Sequence, residues 1–408
     1  MKPAFMKPGL VLASLFAVTA GVLACYPYAR APGKPATPAA APAEAAAHRI
    51  AAAHPKIEVV FVLDTTSSMG GLIQGAKENI WSIASSMAQA QPTPELHMGL
   101  VAFRDRGDDY VTKVIDLSTD LDSMYSTLME FGPAGGGDGP ESVNQALYDA
   151  VHRISWSRDP DSYKAIFLVG DAPPHMDYPD DVKYPETLKA AAARGIVVNT
   201  IQAGNDPSAR QTFERIAALE QGRYFQVGQQ GDALAVATPF DEKIAALSRE
   251  VDATRLYFGD AEAQRKAESK IAATEKVHAE GSVASRARRA VFNAAPAGNA
   301  NLAGKNELVD AVTSGRVDLA TLDTDELPPA LREANAGERQ RLVQESADKR
   351  AQLQAQIAEL GKERSAFIAE DLKRKHKDSA SSFDDKLYST IKEQAGKKGL
   401  FYDAAAAH

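Results

Sequence analysis

Residues 57–69 read IEVVFVLDTTSSM. The opening seven form a near-continuous apolar run rich in β-branched side chains, as expected for a strand buried on both faces of a parallel sheet. The D-T-T-S-S that follows sets Asp64, Thr66 and Ser68 at alternate positions in a turn that ends at a helix start. Three hard oxygen ligands drawn from so short a stretch can occupy one face of a divalent ion.

Working outward, Leu72, Ala76, Ile80, Ile83 and Met87 recur at helical spacing and give one apolar stripe. Residues 96–103 and 110–117 read as strands joined by the charged turn RDRGDD, an antiparallel hairpin in which Asp105 and Asp108 are expected to be solvated. Helical stretches at 121–131, 141–154, 186–194 and 208–220 alternate with strands at 164–170, 196–203 and 223–227. Phe61, Trp81, Phe103 and Phe167 are expected in the core. Alternation of this kind predicts an α/β fold, a doubly wound, mostly parallel open sheet with helices on both faces. Ligands of such sheets sit beyond the carboxyl ends of the strands. Two further loops at that edge carry oxygen: GPAGGGDGPE (132–141), which presents Asp138 before a helix opened by Pro140 and Glu141, and GDAPPH (170–175), which presents Asp171 and His175.

Taken together, Asp64, Thr66, Ser68, Asp138 and Asp171 resemble the metal ion-dependent adhesion site of von Willebrand factor A domains. That site uses D-x-S-x-S, a Thr in a second loop and an Asp in a third. Here Thr replaces the first Ser, and Asp138 stands where adhesion domains carry Thr. The chain looks closer to the branch of the family with D-T-T-x-S-M, G-G-G-D-x-P-E and D-A-P-x-H signatures. The resemblance, over roughly 57–228, implies one divalent cation, with Mg²⁺ favoured and Ca²⁺ the alternative, and Glu141 and His175 behind the ligands. It also implies a protein partner. Three carboxylates would bind the ion tightly and weaken it as a Lewis acid, so capture of a partner's acidic side chain is not expected. A haloacid dehalogenase-like phosphatase is the enzymatic alternative, because an Asp follows the first strand and a G-D a later one. That chemistry needs a second carboxylate where Thr66 stands.

The chain has 408 residues, 44% hydrophobic and 25% charged, which fits more than one folded part and argues against disorder throughout. A formal charge of -8 argues against a nucleic-acid partner. The single cysteine, Cys25, excludes an internal disulfide. It follows Lys2, Lys7 and an uncharged apolar run over 9–24, the pattern of an export signal. V-L-A-C at 22–25 resembles the lipobox of bacterial lipoproteins, which implies a lipid on Cys25 and an envelope location, the outer membrane if the cell has one. Ala- and Pro-rich residues 25–55 then read as a tether.

The expected organisation is a signal peptide at 1–24, the tether at 25–55, an A domain at 56–230 and a helical region at 231–408. Within the last, 241–257, 261–292 and 305–313 read as helical, and R-A-R-R at 286–289 as a solvated basic face. Residues 338–377 carry apolar positions near 3.5 spacing, interrupted by Arg364, which suits an arm of a helical bundle or a coiled coil with a second chain. A scaffold whose helical half does the binding is the remaining functional alternative, and the oligomeric state is not readable.

Overall fold

The computed structural model describes residues 55–137, 139–229, 236–374 and 383–402. The signal, the tether and Cys25 lie outside them, as does Asp138. The predicted alternation is present. Strands β1 (Lys56–Asp64), β2 (Glu95–Phe103), β3 (Thr112–Ser118), β4 (Tyr163–Gly170), β5 (Ile196–Ala203) and β6 (Tyr224–Val227) form one sheet in the order β3-β2-β1-β4-β5-β6. All pairings are parallel except β2 with β3, the predicted hairpin.

Period-two alternation along β1 decides which layer each side chain enters. Ile57, Val59 and Leu63 face α1 (Gly70–Ala88) and α2 (Leu121–Glu130), while Val60 and Val62 face α3 (Val143–His152), α4 (Tyr184–Ala193) and α5 (Pro207–Leu219). Helix α3 starts later than its periodicity suggests, because Glu141 pairs its backbone with the loop after β4 before the helix begins.

The remaining helices are α6 (Asp241–Asp252), α7 (Ala261–Glu280), α8 (Val283–Ala294), α9 (Asn299–Ala303), α10 (Leu308–Thr313), α11 (Pro329–Arg332), α12 (Ala336–Arg374) and α13 (Phe383–Gly396). The continuous helix expected over 261–292 is two. At Gly281 a Cβ would stand 2.6 Å from the Val277 carbonyl oxygen, and Ser282 caps α8 through the Ser285 amide.

These helices share their core with the α1–α2 layer. Trp81 packs against Tyr125 and Phe292 with ring centroids 5.6 and 5.9 Å apart, contacts that contribute about 1 kcal/mol each beyond area burial. Tyr163 Oη donates to Gln394 of α13 at 2.8 Å, and Gln394 and Asn199 exchange amide hydrogen bonds of 2.9 and 3.2 Å. Along α12, Leu353 and Ile357 join Ile244, Leu247 and Val251 of α6, while Val343 joins Leu308 and Leu331. Its stripe is thus spent inside the chain, as a bundle arm. Arg364 interrupts the spacing because it is an internal ion pair, 2.8 Å from Asp241.

The expected solvated face at R-A-R-R is corrected. Arg289 is 1% exposed and donates to Asp122 at 2.6 and 2.5 Å and to Asp252 at 2.8 Å. Arg288 is also buried and donates to the Glu78 carbonyl. Burial alone would raise the proton affinity of Asp122 and Asp252; the guanidinium overrides it and holds both below the ordinary value. One guanidinium from α8 thus bridges a carboxylate of α2 and another of α6.

Candidate metal centre

Asp64 ends β1, beside Phe103 at the end of β2, and is 1% exposed. Thr66 turns back on it. Its backbone N–H and its hydroxyl both donate to Asp64 Oδ1, at 2.9 and 2.7 Å. Ser68 Oγ lies 3.4 Å from the Thr66 hydroxyl. Asp64 Oδ2 is buried and has no hydrogen-bond partner.

The glycine loop comes to this turn through its own backbone. Ser67 N and Oγ both donate to the Gly135 carbonyl, and Ala134 N donates to the Thr65 carbonyl. Gly136 has a φ of +78°, and a Cβ there would stand 3.1 Å from Thr66 Cβ and 3.2 Å from Glu141 Oε1. Only glycine fits both the conformation and the space. The third loop delivers Asp171, whose Oδ2 accepts from Gln229 at 2.9 Å while the same amide donates to the Ser68 carbonyl. A cleft of about 550 Å³ opens among these groups, lined by Thr66, Ser68, Gly136, Glu141, Asp171 and Asp206.

The electrostatics are lopsided. Burial, partly offset by the Thr66 hydrogen bonds and reinforced by Asp171, pushes the Asp64 carboxyl up to about 7. Glu141 is 4% exposed with Oε2 lacking a partner, and burial together with Asp64, Asp105, Asp108 and Asp171 pushes it up to about 9. Arg104 is the nearby guanidinium, but its hydrogen bonds go to the Thr65 and Gly132 carbonyls at 3.2 and 3.0 Å, so it clamps loops together. A buried carboxylate oxygen without a donor is costly. The donor set of carboxylates and hydroxyls is that of a hard divalent cation, and the orphaned Asp64 oxygen fits one. Among the described residues no group of three or more His, Cys, Asp or Glu side chains is placed to hold a metal. The candidate centre relies on the hydroxyls of Thr66 and Ser68.

The hairpin turn behaves otherwise than expected. Asp105 is 5% exposed, accepting from Ser142 Oγ and from Tyr178 Oη at 2.8 Å each. Asp108 accepts from the Asp105 and Gly136 amides at 3.1 Å each. Expected to be solvated, Asp105 is instead buried against Ser142 and Tyr178 and half-buried Asp108 holds the glycine loop at Gly136, because the turn folds inward over the end of the sheet. His175 joins this layer: its ring stacks on Tyr178 at 4.0 Å, with Nδ1 2.8 Å from Asp177 and Nε2 3.4 Å from Asp105. Arg104, Asp105, Asp108 and Gln229 escape sequence reasoning. The density of charge in RDRGDD was the available signal; Gln229 had none.

Residues 58–239 match the family model described as von Willebrand factor A domain. Two curated relatives are von Willebrand factor A domain-containing protein 7 of Homo sapiens, 34% identical over 120 residues, and of Rattus norvegicus, 31% identical over 170. The matched segments are 29% and 42% of this chain but only 12% and 17% of those proteins. Similar solved structures include proximal thread matrix protein 1 from the mussel byssus, at 17% identity, 43% of each chain and a TM-score of 0.34. Another is the SpRpn10 VWA domain, at 14% identity, 44% of this chain, 94% of that one and the same TM-score of 0.34. The match over 58–239 and the six-stranded, mostly parallel sheet agree in giving this part of the chain the fold of a von Willebrand factor A domain.

Proposed function

We propose that the protein is an exported, lipid-anchored envelope protein whose A domain binds one divalent cation and docks a protein partner at the edge of the sheet. The observation that carries this reading is the buried, unpartnered Oδ2 of Asp64 among carboxylates whose nearby guanidinium, Arg104, gives its hydrogen bonds to the Thr65 and Gly132 carbonyls. Asp64 and Asp171, with the hydroxyls of Thr66 and Ser68, would hold the ion directly or through waters, joined by Asp138 from the glycine loop. Glu141 and His175 stand behind them. When bound, the ion supplies positive charge that ties the loops and can accept a partner's oxygen. Mg²⁺ is favoured and Ca²⁺ is the alternative. The carboxylate surplus suits a carbonyl oxygen of a partner's loop rather than an acidic side chain. Thr66 spends its hydroxyl on Asp64 and offers no carboxyl proton, which speaks against phosphatase chemistry.

Calorimetric titration of chelator-treated protein with Mg²⁺ and with Ca²⁺ tests the centre. Saturable uptake in the wild type, absent in Asp64→Ala, is the expected result; no uptake by the wild type refutes it. Anchoring is tested apart from this, since Cys25→Ser should release the protein from the membrane fraction. Among the described residues no helix is long and apolar enough to cross a membrane.

A further inference from the structure

A second cleft, about 620 Å³, lies where the helical half meets the other end of α2. Helix α2 leads from Asp120 at this cleft to the glycine loop at the metal centre, about 15 Å along its axis. The two sites are therefore separate. The near wall is the β3–α2 loop with Thr119 and Asp120, the far wall the stretch from Gly304 to Asn306, and one side the face of α7 that carries residues 262, 266 and 270. Backbone bonds from Phe258 N to the Asn306 carbonyl, 3.0 Å, and from Leu308 N to the Leu256 carbonyl, 2.6 Å, fasten the floor. Gly304 takes a φ of +71°, and a Cβ there would approach Lys270 Cδ at 3.7 Å, so the absent side chain keeps that wall open.

The charges facing this space are four cations and two anions, and both anions are already matched. Lys270 lies 2.7 Å from Asp120 and Lys266 lies 2.6 Å from Glu262. Among the described residues neither the Arg265 guanidinium nor the Lys305 ammonium has a side-chain partner. Tyr257 also lines the cleft, and its hydroxyl is buried with no hydrogen-bond partner. Ser118, Thr119, Ser123, Ser269 and Asn306 add hydroxyl and amide groups around the rim. The volume falls within the roughly 300–1,000 Å³ common to small-molecule sites, but the lining is polar rather than greasy. Two free cations and a rim of hydrogen-bonding groups complement a polyhydroxylated molecule with one negative charge.

We propose that this cleft binds an anionic saccharide, a sugar acid or a sugar phosphate, with Arg265 and Lys305 on the anionic group and the hydroxyl and amide groups of the rim on the sugar oxygens. The test is calorimetric titration of the full chain with galacturonate, glucose 6-phosphate, glucose and inorganic phosphate. Saturable binding of at least one sugar anion, with glucose and inorganic phosphate each weaker by about tenfold or more, is expected, and the preferred anion identifies the source. The double variant Arg265→Glu/Lys305→Glu, altered only at exposed positions, should weaken that binding by about tenfold or more. Asp64→Ala should leave it unchanged, which separates this site from the metal centre. No binding of either sugar anion, equal binding of glucose or inorganic phosphate, or indifference to the charge reversal overturns the proposal.

Discussion

Two groups of buried carboxylates in this molecule have opposite proton affinities. At the junction of α2, α6 and α8, Asp122 and Asp252 lie below their ordinary values because the Arg289 guanidinium sits between them. At the sheet edge, Asp64 and Glu141 are equally withdrawn from water but are raised to about 7 and about 9, because burial and neighbouring carboxylates dominate and Arg104 points its hydrogen bonds elsewhere. Burial is common to both; an internal cation is not. A carboxylate cluster that contains its own guanidinium is a joint, whereas one that lacks it is prepared for a cation from outside.

The comparison can be broken most forcefully at the joint. Arg289→Ala removes the guanidinium that Asp122 and Asp252 share, leaving Asp252 with Arg255 and His278 and Asp122 with the Thr274 hydroxyl, and should cost about 3 kcal/mol in urea denaturation. A loss under about 1 kcal/mol would mean that apolar packing and the other polar contacts, such as Arg288 with the Glu78 carbonyl, hold the helices to the domain without this joint. The next effect concerns pH. Asp122 and Asp252 have folded values below their unfolded ones, so their contribution is present above about pH 4 and is lost as pH falls through the folded values. Asp64 and Glu141 run the other way. In chelator the folded protein retains protons that the unfolded chain releases, so stability should fall as pH rises from about 4 through 7 and toward 9. Divalent ion should flatten that slope, and thermal unfolding across pH with and without chelator would show it. A chelator-insensitive profile would contradict the contrast drawn here.

Neutral polar contacts should fall between these extremes. Gln394→Leu strands Asn199 and the Tyr163 hydroxyl inside the fold and should cost about 1–3 kcal/mol by denaturation. The smallest effect is expected from the partly exposed pair of Lys276 with Glu130, 2.7 Å apart, where Lys276→Ala should cost about 1 kcal/mol or less and less again in high salt.

Much of the metal edge was legible from local pattern. The strand 57–63, the alternation of Asp64, Thr66 and Ser68 and the glycine loop each declare themselves within a few residues, because a buried strand, an oxygen-bearing turn and a left-handed glycine leave short-range signatures. The support behind them did not. Asp105 and Asp108 look like an ordinary polar turn until the turn folds inward onto Ser142, Tyr178 and Gly136. R-A-R-R looks like a solvated face for the same reason: its partner Asp122 is 167 positions away.

Sequence alone therefore determined the layered α/β architecture and the hairpin edge, since hydrophobic period and turn chemistry act between near neighbours. Tertiary structure alone decided which charges are neutralised within the chain and which are left for a ligand. The sign and size of a buried charge's energy depend on what stands within a few ångströms of it, and that neighbour comes from anywhere in the chain.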